Sequence, residues 1–238
     1  MDAPPADLSA EQLDGLVAFL GQYVTEARRE KIETVLAVRT RRLALALEDI
    51  YQPHNASACL RSCECLGIQD VHVVEKRHEY APNKEVSMGA SKWLTLRQHA
   101  ETAECAAVLR ADGYRIVATS PHAGPSSEPH TLSSLPLDGK TTIWFGTEEH
   151  GLTDEALALA DDRLCLPMFG FTESYNISVC VALTMGRLAE RLREEPVEAW
   201  ELDASERQRL RHLWYRKIVK NGDVMERTFL GKGVAGSQ

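Results

Sequence analysis

Short apolar runs that alternate with helix-patterned segments constrain this chain more than any other feature. "LALALEDI" from Leu43 precedes the helical "NASACLRSCECLG", "VHVVE" begins at Val71, and "YRIVATS" from Tyr114 follows the helical "ETAECAAVLRADG". "TTIWFG" from Thr141 precedes "TDEALALA", and "RLCLP" from Arg163 precedes a long helical segment, Ser178 to Glu194. These runs are apolar throughout, not alternately apolar and polar, so both faces of each strand need cover. Such alternation predicts an α/β fold, a mostly parallel sheet covered by helices on both faces. "KWLTLR" from Lys92 adds a further predicted strand.

Helical extensions are expected on either side. Ser9 and Gln12 form a capping-box pattern for a helix from Ala10 to Tyr23, and a charged helix is expected from Glu26 to Arg39. Pro196 ends the alternating pattern, and a basic helical segment with Trp200, Trp214 and Tyr215 follows. The expected organisation is an N-terminal extension over 1–42, basic in its second half, an α/β domain over 43–195, and a basic C-terminal extension over 196–238. A chain of 238 residues is long enough for one large domain with such appendages.

A net charge of −8 argues against a generally basic nucleic-acid coat, yet the bases are concentrated. Arg28, Arg29, Lys31, Arg39 and Arg41 crowd one segment, and Arg207, Arg211 and Lys217 another. No apolar run approaches the ~20 residues of a membrane span, and "MDAPPADLSAEQ" lacks the basic start of a signal peptide. A cytoplasmic protein is therefore expected. The sequons "NAS" at Asn55 and "NIS" at Asn176 are not expected to carry glycans. Cys59, Cys105, Cys165 and Cys180 lie in apolar patterns and read as reduced thiols. Cys59, Cys63 and Cys65 lack a second Cys or His pair at finger-like spacing, so no metal is expected.

Open α/β sheets bind ligands at the carboxyl ends of their strands. Three polar loops follow predicted strands: "YQPHN", "GTEEHGLT" and "PMFGFTESYN". The second has the glycine spacing of a phosphate-binding loop at Gly146 and Gly151, with Thr153 in the last position. Leu152 replaces the lysine, however, and Glu148 and Glu149 would repel a triphosphate. No G-x-G-x-x-G follows the first strand. A loop carrying acids suits an adenine-bearing ligand with a cationic centre, such as S-adenosyl-L-methionine. Asn55, Asn176 and Ser174 are also good helix caps in their own right.

"PHNASACLRSCECLGI", "SMGASKW", "FGTEEHGLTDEALALAD" and "LPMFGFTESYNISVCVAL" resemble, in order and spacing, the motifs of the SpoU/TrmH family of RNA ribose 2′-O-methyltransferases. The resemblance runs from about Glu26 to Arg193 and is greatest to the tRNA guanosine-18 branch. It implies a SPOUT fold with a C-terminal trefoil knot, a homodimer packed through its knotted parts, and S-adenosyl-L-methionine as methyl donor. It further implies tRNA as substrate, with methylation at the D-loop guanosine. Carried over by motif, Asn55 and Arg61 form the first catalytic pair, Glu148 is the acid of the second motif, and Ser174 and Asn176 are the polar pair of the third. The donor pocket is implied to use Thr119, Gly146, Gly151, Leu166 and Met168 together with Ser174 and Asn176, largely through backbone contacts. Glu173 and Tyr175 depart from the Gln and Leu of many relatives, and the helix before Thr25 looks like an addition.

The residue types suit methyl transfer, in which catalysis is chiefly the alignment of the ribose hydroxyl with the sulfonium methyl. Arg61 stays protonated, so it is expected to grip a phosphate and stabilise the developing alkoxide, and the final proton acceptor stays open. The basic segments are expected to hold RNA phosphates. Trp93 is expected in the core or an interface. Other readings stand beside this one: ribosomal RNA as substrate, a non-catalytic RNA-binding protein of the same fold, and, remotely, an adenine-nucleotide enzyme using "GTEEHGLT".

Overall fold

A computed structural model describes residues 8–50, 52–76, 89–120, 128–172 and 174–235, with side chains described as far as 231. The chain divides into two compact units, one of residues 40–200 and one that combines 1–39 with 201–238.

The larger unit is the expected α/β fold. Its strands are β1 (Thr40–Glu48), β2 (Ile68–Val74), β3 (Thr95–His99), β4 (Arg115–Thr119), β5 (Thr141–Phe145) and β6 (Asp162–Leu164). They lie in the order β3-β2-β1-β5-β4-β6, and every pairing is parallel. Helices cover both faces because alternate residues of each central strand seed separate cores. Leu43, Leu45, Leu47, Ile143 and Phe145 pack on one side with α3 (Pro53–Cys65) and α6 (Ile177–Arg193). Ala44, Ala46 and Trp144 pack on the other with α4 (Thr102–Ala111) and α5 (Asp154–Leu159).

Local chemistry sets the ends of these elements. Gly67 and Gly113 follow α3 and α4 with φ of 74° and 82°, the left-handed position that glycine takes without steric cost. Asp49, at φ 60°, turns the chain out of β1. The strand predicted over Lys92–Arg97 is displaced. Gly89 is left-handed and opens a 3-10 turn over Ala90–Lys92, so β3 starts only at Thr95. Gln69 Nε2 fixes that start by donating to the Trp93 carbonyl at 3.0 Å and to Thr95 Oγ1 at 3.1 Å. Trp93 itself is half-buried. At the other end β1 begins three residues before the predicted Leu43, because Thr40 already pairs with Ile68. Trp200 belongs to the sheet unit rather than to the basic tail. It is buried against the first core, with the Arg193 guanidinium 5.5 Å over its ring.

The smaller unit brings the two extensions together. It comprises α1 (Ala10–Gly21), α2 (Glu26–Leu36), α7 (Ala204–Ile218) and α8 (Gly222–Ala235). The Ser9–Gln12 capping box is formed, and Asp203 with Glu206 makes another at α7. Phe19 stacks on Phe229 at 5.2 Å, and Gln208 Nε2 donates to Asp14 Oδ1 at 2.6 Å.

Candidate active site

The three polar loops leave the carboxyl ends of β1, β5 and β6, and the structure joins them through one carboxylate oxygen. Glu148 Oε1 accepts from Asn55 Nδ2 at 2.9 Å, from Asn176 Nδ2 at 2.5 Å and from the backbone N–H of Ile177 at 3.3 Å. Asn55 is not the cap of α3. The helix starts at Pro53, with Gln52 at the cap position, and this puts Asn55 on its inner face, 4% exposed. Asn55 Nδ2 also donates to Gln52 Oε1 at 2.9 Å, and Asn55 Oδ1 accepts from Asn176 Nδ2 at 3.3 Å. Asn176 both caps α6 and joins the cluster, its Oδ1 accepting from Ser178 N at 2.9 Å and Ser178 Oγ at 2.6 Å. Because a carboxylate only accepts, Glu148 fixes which way both amides point. The N-terminus of α6 further favours negative charge there.

Backbone geometry holds Glu148 out at the tip of its loop. Thr147 and Gly151 exchange two backbone hydrogen bonds of 2.9 Å, which closes residues 147–151 into a tight turn. Gly151 takes φ 68° to make that turn. Gly146 lies so close that a Cβ there would come within 2.1 Å of the Gly151 carbonyl.

The remaining predicted residues fall into two groups. Thr119 ends β4, Gly146 follows β5 and Leu166 lies two residues past β6, and these strands are neighbours in the sheet, so the three backbones lie at the same edge. Thr119 Oγ1 donates to the Trp144 carbonyl at 2.8 Å, Leu166 is buried and Met168 half-buried. This row of backbone groups with apolar side chains, next to the Glu148 carboxylate, fits a ligand with a flat heterocycle and a cationic centre. Arg61 and Ser174 stand outside the hydrogen-bonded cluster. Both are exposed, and neither side chain makes a hydrogen bond or ion pair with the described residues. Arg61 lies six residues beyond Asn55 on α3, about 9 Å along the axis. Tyr175 is 44% exposed, and Glu173 lies outside the described residues.

The predicted phosphate-binding set is reduced by the fold. Arg39 is fully buried and lies 5.5 Å over the Trp214 ring, so it cannot reach a phosphate. Arg41 pairs with Asp70 and donates to Thr95 Oγ1, which makes it a brace between β1, β2 and β3. Arg207 pairs with Glu201, and Arg211 holds Glu33 through two bonds of 2.6 Å. Arg28, Arg29, Lys31 and Lys217 remain exposed.

Two features were not visible in the sequence. Gln52 supports Asn55 through a contact that only the helix start reveals. His72, His99 and Cys105 gather in the second core, with their ligand-type atoms within 4.8 Å of one another. His72 Nδ1 and His99 Nε2 share a hydrogen bond of 3.1 Å, and burial lowers both histidines, His72 to about 4. Burial also pushes the Cys105 thiol up to about 12, which disfavours the thiolate that metals prefer. All six cysteines are free. Cys59 and Cys63 are buried and Cys65 is exposed.

A parallel α/β sheet with polar loops joined at its carboxyl edge defines a ligand-binding enzyme domain of the open-sheet class. Residues 42–186 match the SpoU rRNA Methylase family, and the chain belongs to that family. It is 41% identical over 210 residues to the tRNA (guanosine(18)-2′-O)-methyltransferase of Borreliella burgdorferi, covering 88% of this chain and 94% of that protein. It is 34% identical over 194 residues to the protein of the same name from Thermus thermophilus, covering 81% and 98%. The crystal structure of the Aquifex aeolicus TrmH/SpoU tRNA modifying enzyme shares the fold, with a TM-score of 0.72 at 23% identity, over 82% of this chain and 98% of that one.

Proposed function

We propose that this protein is an S-adenosyl-L-methionine-dependent RNA ribose 2′-O-methyltransferase that acts on guanosine 18 of the tRNA D-loop. The observation that carries the reading is the convergence of Asn55 Nδ2, Asn176 Nδ2 and the Ile177 N–H on Glu148 Oε1, which ties together the three segments at the sheet's carboxyl edge. Relatives bearing the guanosine-18 methyltransferase name match 81% and 88% of the chain.

When bound, the cofactor supplies an electrophilic methyl group on a sulfonium. Thr119, Gly146, Gly151, Leu166 and Met168 would hold it, with Ser174 and Asn176 beside it. Asn55 and Asn176 are oriented by Glu148 and position the reacting groups through neutral hydrogen bonds. Arg61 grips an RNA phosphate and stabilises the alkoxide as it develops; a guanidinium does not take the proton. Catalysis is then chiefly alignment. Arg28, Arg29, Lys31 and Lys217 are the exposed cations for tRNA phosphates, which would make binding salt-dependent.

The same reading includes a trefoil-knotted C-terminal part, a homodimer and work in the cytoplasm. The homodimer is supported by an apolar stripe on and before α6. Tyr175, Val179 and Leu183 recur every four residues and are 44–46% exposed, and Phe169 and Phe171 project almost fully. No helix among the described residues is long and apolar enough to cross a membrane. The domain reading is a methyltransferase domain, expected over 43–195 and corresponding to the compact unit 40–200, flanked by extensions expected over 1–42 and 196–238.

Purified protein, labelled S-adenosyl-L-methionine and tRNA should yield 2′-O-methylguanosine at position 18, read by nucleoside mass spectrometry. A base-methylated product overturns the reading. Absence of turnover on any RNA favours a binding protein instead. Ribosomal RNA is the second candidate substrate, because the family bears an rRNA name and the chain is 28% identical over 153 residues to a Salmonella typhi 23S rRNA (guanosine-2′-O-)-methyltransferase. The same assay with ribosomal RNA separates the two.

A further inference from the structure

Glu48 is 1% exposed at the carboxyl end of β1, where a buried carboxylate costs several kcal/mol unless it is well bonded. It is well bonded. Its Oε2 accepts from the Thr153 N–H at 2.9 Å, and its Oε1 accepts from the Thr153 hydroxyl at 2.8 Å and the Thr102 hydroxyl at 2.6 Å. Thr153 is the cap of α5, its Oγ1 accepting from the Ala156 N–H at 3.2 Å. It is also the residue at which the 146–153 loop ends. Glu48 sits on the α4 side of β1, in line with Ala44 and Ala46, whereas Asn55 lies on the α3 side. The loop therefore crosses the top of the sheet from Glu148 on one side to its anchor on the other.

The loop is fixed at three places. Gly146 abuts Gly151, Thr147 and Gly151 close the turn, and Glu48 holds the far end. Downstream of Gly151 the loop is also held by Leu152, which packs in the second core, so loss of the Glu48 anchor loosens Thr153 and the α5 cap and lets the end of the loop, and with it Glu148 Oε1, shift relative to Asn55 and Asn176. A cleft lined by Glu48, Asp49, Lys76, Glu149, His150, Leu152 and Thr153 runs along this side of the loop, so part of the anchor's surroundings is open. We propose that Glu48 is a positioning residue for methyl transfer, acting through Thr153 to hold Glu148 on Asn55 and Asn176. The inference rests on the reading that Glu148 belongs to the methyl-transfer centre.

Steady-state kinetics on saturating tRNA tests it with Glu48→Ala, Glu48→Gln, Thr153→Val, Thr102→Val and Glu148→Ala. Glu48→Ala should lower kcat about tenfold while KM for S-adenosyl-L-methionine changes less than about twofold. Glu48→Gln should recover most of the rate, because an amide can accept from the Thr153 N–H and donate to the hydroxyls. Thr153→Val, which keeps the carboxylate but cuts the hydroxyl link, should lower kcat in the same sense and carries the test if Glu48→Ala does not fold by circular dichroism. Thr102→Val, which cuts only the arm that leads away from the loop, should leave kcat within about twofold. Combining Glu48→Ala, or Thr153→Val in its place, with Glu148→Ala should lower kcat no further than Glu148→Ala alone. Losses that multiply, or a Thr102→Val loss equal to that of the anchor variant, overturn the proposal. A wild-type rate in Glu148→Ala overturns instead the reading on which it rests.

Discussion

Asn55 and Arg61 share one helix and differ in every physical respect, and they should fail differently. Asn55 is buried and holds three partners, so Asn55→Ala leaves Glu148 short of a donor and Gln52 without its contact. The Arg61 side chain is exposed and bonded to none of the described residues, so Arg61→Ala should leave stability within about 0.5 kcal/mol, as is usual for surface positions. Methyl transfer by Arg61→Ala should nevertheless fall by about 100-fold or more, with S-adenosyl-L-methionine affinity by calorimetry unchanged within about threefold. Unchanged turnover would remove Arg61 from the site. These roles were legible only in part. The residue types at three strand ends pointed to Asn55, Glu148 and Asn176, which the fold brings into one hydrogen-bonded cluster, because motif order survives in the linear chain. The cap role expected of Asn55 failed because Pro53 fits the first turn of a helix, which moves the cap three residues earlier, to Gln52. Arg39 read as a phosphate ligand because a cation that spends its charge on a tryptophan face looks, in sequence, like any other cation.

At the scale of elements, apolar strands gave the parallel sheet without ambiguity, since few other folds cover both faces of a strand. The edge strand was misplaced because β3 is only half-buried and its pattern is weak. The 146–153 loop was read by comparison with a phosphate-binding loop, and its glycines do serve a backbone approach, but toward each other. Gly146→Ala should therefore act on the whole loop. Its Cβ would meet the Gly151 carbonyl at 2.1 Å, so the turn must open. The expected result is a stability loss of about 1–3 kcal/mol by urea denaturation, as for other overpacked sites, with a kcat loss larger than that explains. Wild-type kinetics in Gly146→Ala would mean that the turn does not position Glu148.

At the scale of the whole molecule, the exposed stripe predicts assembly. Val179→Asp with Leu183→Asp places charge on a face whose residues otherwise sit half in water, so the fold should persist. If the stripe is the dimer contact, light scattering should show the mass halve from a dimer to the 26.5 kDa monomer. An unchanged mass would move the contact elsewhere. Acid should act on the sheet unit through His72 and His99. Burial holds both below the ordinary 6.5 in the folded state, so the neutral forms stabilise the fold above that pH, and the contribution is lost as pH falls below it, for His72 toward about 4. For His72 this amounts to about 3 kcal/mol between pH 7 and pH 4. Urea midpoints over that range should fall with pH, and His72→Leu should flatten the slope; a parallel slope in the variant would assign the acid loss to other groups.

The pairing of α1 and α2 with α7 and α8 has a consequence for how the chain comes into being. The first helices leave the ribosome about 170 residues before their partners. Leu13, Leu16 and Leu20, which are buried in the finished unit, stay uncovered while the whole α/β unit is made. A chain that stops before Glu201 keeps that apolar face open, because α7 and α8 have not yet been made. The small helical unit thus closes only after the α/β unit has been made, and chains that stop earlier carry the exposed surface that chaperones and proteases engage.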